Sequence, residues 1–563
     1  MKNKYFFKAI FFFCFSLSIF PRGKQELIPC GSWIYSAVAS ICLEQKIVNF
    51  SDDAPLSIME LETMLKEIDF EKLSPPSKAL YNSIFSYFNR DFFGFSSDII
   101  RFQLELAVNF SSFFKTSDQI PFVYDYYERK PFLECPLSIS AGDFITMKMN
   151  LYLGQNKNSS VLNPDIFTNI PFSADQIDIN FPDNSYLSAG FKFTDKTGIN
   201  FQIGNGSKSI GNSLTGSMLW SSYLTGAAYG QFSIYSPNLK YTANTSQFNV
   251  DRYMYSHQLD FAFFKRFTFT IFEGNFVNAP MELRFMNPFT IFHGLAPWRD
   301  YDGSQYDSES HNCAYLGLKF QFVPVSSLRI YGIFAQTQFQ TPYEVKNWPN
   351  DTTPSGMGGQ IGAEYFLSLK NGLLSFGLEG SYAQPYLYIK ESPNWSLVRT
   401  YAENLGDVRY PFYQWIGSPY GPDTAGGKIK IKYEIPSKFS VELSYLFLAR
   451  GEMSGDSIFR NWKDENGNYK WGGVKTQTDT DGWCYPGSGG ESLEEAKKKQ
   501  SLTAPSGICE YVNSITLKAS YYFSEMFSVF SQPSFVYAEN ANHKEGSSAF
   551  SFEFAAGCRF SCR

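Results

Sequence analysis

From Asp98 to Phe560, apolar and polar residues alternate one for one in run after run. In Ser514–Phe523 the residues Ile515, Leu517, Ala519, Tyr521 and Phe523 alternate with Ser514, Thr516, Lys518, Ser520 and Tyr522. The same alternation fills Lys428–Ile435, Gln360–Leu369, Tyr315–Phe322 and Phe550–Phe560. Successive side chains of a strand point to opposite faces, so each run predicts a strand with one apolar and one polar face. Such strands suit a soluble sandwich as well as a barrel between lipid and a wet lumen, and the connections separate the two. Very short turns (Lys265-Arg266, Pro324–Ser327, Lys370-Asn371-Gly372, Pro436-Ser437-Lys438, Ser524-Glu525) alternate with long segments (Val277–Asn312, Gln340–Met357, Gln384–Gly426, Gly451–Glu510). That asymmetry belongs to outer-membrane barrels, with turns in the periplasm and loops outside. The expected fold is therefore mainly β: over 98–563, a transmembrane antiparallel outer-membrane β-barrel of about 16–18 strands. Ser548–Phe560, with Phe550, Phe552, Phe554 and Phe560 on one face, is the expected closing strand, although the chain ends on Ser561-Cys562-Arg563 and not on an aromatic.

The chain before Asp98 follows a different period. Ile34, Val38 and Ile41, then Ile58, Leu61, Leu65 and Ile68, recur at helical spacing. Ser74-Pro75-Pro76 supplies a cap and first-turn prolines ahead of a third stripe, Leu80, Ile84 and Phe88. Residues 31–92 thus predict a small N-terminal helical bundle, read as a periplasmic domain. Upstream, Lys2 and Lys4 precede an apolar run from Phe6 to Phe15, the charged start and short middle of a secretory signal, assigned to 1–22. Cys30 follows Leu27 at a spacing reminiscent of a lipoprotein signal, but Pro29 and the charges Arg22, Lys24 and Glu26 separate it from that run. Beyond residue 20 no apolar run reaches the roughly 18 residues of a membrane-spanning helix.

Composition narrows the choice. The chain of 563 residues carries 57 Phe and 36 Tyr, yet its mean hydropathy is only -0.23 and 18% of its residues are charged. Aromatic girdles around a lipid-facing band, over a polar lumen, account for both. A net charge of -6 without basic patches excludes nucleic acid as partner. The nine cysteines contain no C-x-x-C pair, and no zinc, phosphate-loop or nucleophile-elbow signature occurs, so neither metal nor cofactor is expected. Cys484 and Cys509 bracket a Gly/Ser-rich stretch and can pair in an oxidising compartment.

The segment Met281-Glu282-Leu283-Arg284-Phe285-Met286-Asn287-Pro288-Phe289 resembles the Glu-Leu-Arg-x-x-Asn-Pro segment of capsule-assembly proteins of the Wzi family. Gly204-Asn205-Gly206 with Gly211-Asn212-Ser213-Leu214 resembles the glycine- and asparagine-rich strand ends of related porin-like sequences. The resemblance implies an outer-membrane barrel that binds surface polysaccharide. On the residues themselves, Glu282 and Arg284 stand two apart and share one face of a strand. They are read, with Asn287, as a lumen-side group whose ion pair braces the wall or touches ligand. Polysaccharide recognition calls for flat aromatic faces and planar polar groups, which the outer loops offer in Trp298, Arg299, Asp300 and Tyr301 and in Trp462 and Trp471. Tryptophan also belongs to the rim belt of a barrel, a competing role for these positions.

The leading expectation is a non-catalytic barrel that binds or anchors a surface polysaccharide in capsule assembly or attachment. Its expected partners are that glycan, outer-membrane lipid with a lipopolysaccharide-like glycolipid, and the barrel-assembly machinery. The alternatives are a general diffusion porin, with a charged constriction left open, and a surface-exposed adhesin or antigen barrel. A hydrolase would need a Ser-His or Asp-His group, against which four histidines in the whole chain weigh.

Overall fold

A computed structural model describes residues 18–48, 51–96, 99–162, 165–178, 184–292, 312–370, 372–405, 408–436, 438–454, 484–487 and 490–562. The described residues form an 18-strand antiparallel β-barrel. Its first strand, β1, runs as Ile100–Leu104 and, past a break at Glu105, as Leu106–Lys115. There follow β2 (Leu133–Ala141), β3 (Ile145–Leu153), β4 (Ser185–Lys192), β5 (Gly198–Gly206), β6 (Ala227–Tyr235), β7 (Leu239–Asn249), β8 (Arg252–Phe263) and β9 (Phe267–Asn278). The second half is β10 (Asn312–Phe322), β11 (Leu328–Gln338), β12 (Gly356–Leu369), β13 (Gly372–Ala383), β14 (Thr424–Ile435), β15 (Phe439–Arg450), β16 (Glu510–Tyr522), β17 (Phe527–Glu539) and β18 (Ser548–Cys562). Each strand pairs with the next, and β18 returns to β1 from Glu553↔Lys115 to Cys562↔Leu106, which removes the open edge.

The alternation in the sequence maps onto the two sides of this wall. On β12, Gln360 and Glu364 turn into the lumen and are buried, while Ile361 and Tyr365 face outward. On β16 and β18, Ile515, Leu517, Tyr521, Phe550 and Phe560 stand exposed on the outside. An exposed apolar belt of this kind is stable only against lipid, and it places the barrel in an outer membrane. No helix among the described residues is long and apolar enough to cross a membrane.

Three helices precede the barrel: α1 (Trp33–Glu44), α2 (Ile58–Leu65) and α3 (Pro75–Phe88). Their start signals are local. Ser32, Ser57 and Ser74 each accept a backbone N–H from the first turn, which satisfies donors that the helix itself cannot pair. Ile34, Val38, Ile41, Ile58, Leu61, Leu65, Leu80, Ile84 and Phe88 are buried together. The helices also meet the short-turn end of the barrel. Leu43 and Val48 pack on Val323 and Phe366, Ser327 N donates to Leu43 O at 2.8 Å, and Val48 N to Lys265 O at 2.7 Å. Glu67 pairs with Lys265 and Lys196, and Arg90 with Glu525, each on a different turn.

Ahead of α1 the chain runs along the inside of β2–β5. Gly23 lies so close to the wall that an added Cβ would fall 2.2 Å from Ser140 Oγ. Arg22 pairs with Glu26, Lys148 reaches Glu26 at 2.7 Å, and Gln25 donates to Gly190 O while accepting from Asn200 Nδ2. Ser18–Pro21 forms a short strand with Asp91–Ser96. Residues 18–22, which the sequence groups with the signal, are thus engaged by the folded chain here. Cys484 and Cys509 are not joined by a disulfide, so the pairing considered for them does not form. Cys484 packs against the core inside the barrel, whereas the Cys509 carbonyl is held at the β17–β18 loop by Asn540.

Candidate functional site

The lumen is filled from both ends, and the two fillings meet in its middle. From the short-turn end, the link between α1 and α2 carries Asp52 and Asp53 inward. Asp53 accepts from Lys319 Nζ at 2.7 Å and from Gln258 Nε2 at 2.5 Å; Asp52 accepts from Lys319 and, at 3.2 Å, from Arg329. Burial alone would raise the Asp53 carboxyl, but Lys319 and Lys240 bring it below its usual range. From the long-loop end, segment 207–226 folds down. Gly211 N donates to Asp53 and Asn212 N to Asp52, both at 3.0 Å, and Ser209 bridges to Ala54. Gly211 has φ +86, which favours glycine, and an added Cβ would lie 2.9 Å from Ile333 Cδ1. Of the two glycine- and asparagine-rich motifs, Gly204-Asn205-Gly206 ends β5 in the wall and Gly211-Asn212-Ser213-Leu214 serves as the tip of an inward loop.

Above this junction the same loop is locked into the wall. Glu379 accepts from Leu214 N at 2.7 Å and Thr215 N at 3.1 Å and is also bound by Tyr331, and Gln360 Oε1 accepts from Met218 N at 2.8 Å. Over it lies an apolar core inside the barrel, with Met218, Leu219, Trp220, Tyr388, Trp395 and Trp415 buried. Arg252 fastens the covering segment by donating to the carbonyls of Asn394 at 2.8 Å and Val398 at 2.8 Å. Backbone groups of this lid pair with one another, Ser221 N donating to Ile416 O at 2.7 Å and Leu397 N to Tyr388 O at 2.8 Å, as irregular chain inside a barrel requires.

The filling is off-centre. On the walls that face it, Lys319, Lys240 and Arg329 retain 2%, 3% and 4% of their side-chain exposure. On β14 and β16, the inward lysines Lys430, Lys432 and Lys518 retain 24%, 25% and 39%. Solvent thus reaches that side of the lumen. At its short-turn end lies a cavity of about 410 Å³ between α3 and β14–β18, lined by Tyr87, Arg90, Lys432, Glu434 and Arg559. Higher up, between the residues 27–31 and β2–β6, lies a chamber of about 470 Å³. It is walled by Tyr126, Tyr127, Tyr152, Tyr186, Tyr223 and Tyr229, and it shares Cys30, Gly31, Ser222 and Tyr223 with a neighbouring space of about 270 Å³.

The residues singled out in the sequence fare unevenly. Trp298, Arg299, Asp300, Tyr301, Trp462 and Trp471 lie outside the described residues, as does His293. Glu282 and Arg284 do form an ion pair, Nε to Oε2 at 2.7 Å. Its location differs from the lumen-side expectation: Glu282, Arg284 and Asn287 lie against the outer surface of the barrel. Strands β8 and β9 turn Met254, Gln258, Phe272 and Phe276 inward, so Tyr255 and Val277 point outward, and it is these that Phe285 and Phe292 cover. Glu282 N donates to Tyr255 Oη at 2.9 Å, and Tyr241 Oη donates to Pro288 O at 2.9 Å. Nor is the segment a strand: Leu283–Met286 is a 3-10 turn, so the two-residue spacing does not set the faces of this pair. Asp52, Asp53, Lys319, Arg329 and Glu379, which build the junction, are not among the residues that the sequence motifs single out. Lys319 was legible as a polar-face position in Tyr315–Phe322, but its partners lie more than 260 residues away.

The arrangement defines a class: an outer-membrane β-barrel whose lumen is occupied by its own chain. Among solved structures, the chain is similar to Wzi of Escherichia coli, described as an outer-membrane protein involved in group 1 capsule assembly and a carbohydrate-binding β-barrel. The TM-score is 0.56 at 11% identity, over 96% of this chain and 99% of Wzi. That likeness concerns the fold. OprD of Pseudomonas aeruginosa (TM-score 0.36, 9% identity, 82% of this chain and 95% of that one) and OmpT of Vibrio cholerae (0.32, 7%, 83% and 99%) are more distant. No family model and no curated relative matches the chain.

Proposed function

We propose that this protein is a non-catalytic barrel that binds a surface polysaccharide and holds it at the cell exterior, as in capsule assembly or attachment. The observation that carries the reading is the filled lumen: the Asp52–Asp53 link and the 207–226 loop join at its centre and an apolar lid covers them. A diffusion porin needs an open constriction, so this filling favours a holding role. The fold likeness to a carbohydrate-binding barrel supports the same choice. In this reading the chain is exported behind an N-terminal signal that ends before the engaged residues 18–22 and is inserted by the barrel-assembly machinery. Residues 31–92 form a periplasmic plug, and the outer loops meet glycan and the lipopolysaccharide-like surface through Trp298, Arg299, Asp300, Tyr301, Trp462 and Trp471.

The test is retention of purified surface polysaccharide on the immobilised, detergent-solubilised protein. The wild type retains it, and the double variant Trp462→Ala/Trp471→Ala retains at least about tenfold less, the equivalent of roughly 1.4 kcal/mol. Absence of retention by the wild type would overturn the proposal.

A further inference from the structure

We propose that the tyrosine-walled chamber inside the barrel is a second, internal saccharide site, which takes a short uncharged stretch or chain end of the glycan from the short-turn, periplasmic side. This rests on the polysaccharide-holding reading and adds to it a site apart from the outer loops.

The chamber's wall sets what it can recognise. Its volume of about 470 Å³ falls within the usual range of ligand sites, roughly 300–1,000 Å³. Tyr126 and Tyr152 are held by Asp178 and so present mainly their ring faces, but an apolar ligand would leave the amides of Asn150 and Asn184 and the hydroxyl of Tyr223 facing it unpaired, which is costly. A strongly charged ligand finds its counter-charges engaged. Arg129 is stacked 3.8 Å over Phe113 and donates to Tyr124 O at 3.2 Å, Glu134 is held by Arg559 and Asn109, and Glu128 by Lys518. Lys130 lies within electrostatic reach of Glu134. Apart from the exposed Lys130, what remains is an uncharged surface of aromatic faces and planar amides, the chemistry that binds a polyhydroxylated ring by stacking and hydrogen bonds. One acceptor is already waiting: Asn150 Oδ1, in the chamber wall, is buried with no hydrogen-bond partner. A buried polar atom left unpaired costs on the order of 1–3 kcal/mol, a deficit that a ligand hydroxyl removes.

Access follows from the off-centre filling. Glu128 belongs to the chamber and pairs with Lys518 at 2.5 Å; Lys518 stands on β16 two residues from Ser520, which lines the short-turn cavity. The half-exposed lysines of β14 and β16 mark a solvent-accessible route between the two spaces. A passage that ends in a recognition chamber suits a chain end threaded from the periplasm and held before or during display outside.

The test uses the full-length protein in detergent and, as probe, short oligosaccharides released by partial hydrolysis from the same purified surface polysaccharide. Affinity is measured calorimetrically for the wild type, for Asn150→Leu/Tyr223→Leu, for Tyr223→Phe and for Trp462→Ala/Trp471→Ala. Expected are binding to the wild type, a loss of about tenfold or more in the Asn150/Tyr223 variant, and changes under about threefold in the Tyr223→Phe and loop variants. Unchanged affinity in the Asn150/Tyr223 variant, or loss in the loop variant, overturns the internal site. If the whole polymer is retained but the fragments do not bind, the internal site falls and the holding function stands; if neither binds, both fall. Should the Asn150/Tyr223 variant fail to fold, hydrogen exchange on the wild type decides. Fragments must then slow exchange in segment 124–131, and unchanged exchange there overturns the proposal.

Discussion

Replacing Lys319 by Met removes the cation at the meeting point of the two lumen fillings. Lys319 Nζ bonds Asp52 and, at 2.7 Å, Asp53, and lies 3.9 Å from Asp260, all of them buried. Arg329 remains for Asp52, but it is shared with Glu364 at 2.6 Å, so Asp53 and Asp260 are left facing each other with only Lys240, itself paired with Glu60 at 2.6 Å, as counter-charge. Removing one partner of a buried ion pair costs about 3–5 kcal/mol, because the other charge stays buried. The cost falls on the seated state of the Asp52–Asp53 link, whose opening exposes the amides of Gly211 and Asn212 that donate to these carboxylates. At about 1.4 kcal/mol per tenfold, their exchange through local opening should accelerate on the order of 100- to 3,000-fold. The assay is hydrogen exchange with mass spectrometry on peptides spanning 207–216, with heat-modifiable migration on gels as the control that the barrel itself has formed. Adding Asp53→Asn to Lys319→Met should recover a large part of the lost protection, since the orphaned charge goes with it. Exchange in the single variant within about threefold of wild type would refute the claim that these ion pairs hold the junction.

Two other outcomes test separate parts of the account. Phe285 is buried and stacks on Tyr255 with ring centroids 5.1 Å apart. Phe285→Ala should destabilise the outer strap by about 3–5 kcal/mol, seen as faster exchange over 281–292, while the barrel's resistance to unfolding in detergent gels stays unchanged. In the inward-turned segment 116–132, burial, and then the neighbouring Glu128, raise the Asp125 carboxyl to about 6. A raised folded value means that the fold prefers the protonated acid: its contribution to stability is complete below the unfolded value of 3.8 and is lost as pH rises through about 6. Local stability over 124–130, measured by hydrogen exchange corrected for intrinsic rates, should therefore rise as pH falls from 7 to 4, and Asp125→Asn should flatten that slope.

Much of the fold is legible because strand patterning is local. The two-residue alternation in Gln360–Leu369 and Ser514–Phe523 sorts each side chain to lipid or lumen, and short turns against long segments identify the two ends of the barrel. The helix signals are local too: Ser74 caps α3 as its Ser-Pro-Pro sequence predicts, and the three apolar stripes are buried. What the loops do is a different matter, because nothing in a loop's own residues says which side of the wall it will lie on. The Glu282–Arg284 segment descends outside the barrel because outward-facing Tyr255 and Val277 offer a surface for Phe285 and Phe292. The 207–226 loop descends inside because Asp52, Asp53 and Glu379 offer acceptors for its amides. Those partners come from distant parts of the chain, and so does the tyrosine chamber, whose wall draws on β3, β4, β6 and two inward segments. Alternation shows that such residues face the lumen, and only the barrel's closure brings them together.

A barrel that holds a glycan, as proposed, has no need of an open pore. The most direct measurement is conductance of the full mature protein in a planar bilayer, followed by addition of purified surface polysaccharide. A closed or barely conducting barrel is expected, because the Asp52–Asp53 junction and the apolar lid occupy the lumen, together with retention of the glycan by the same preparation. Large, steady open-channel currents indifferent to the glycan would contradict it.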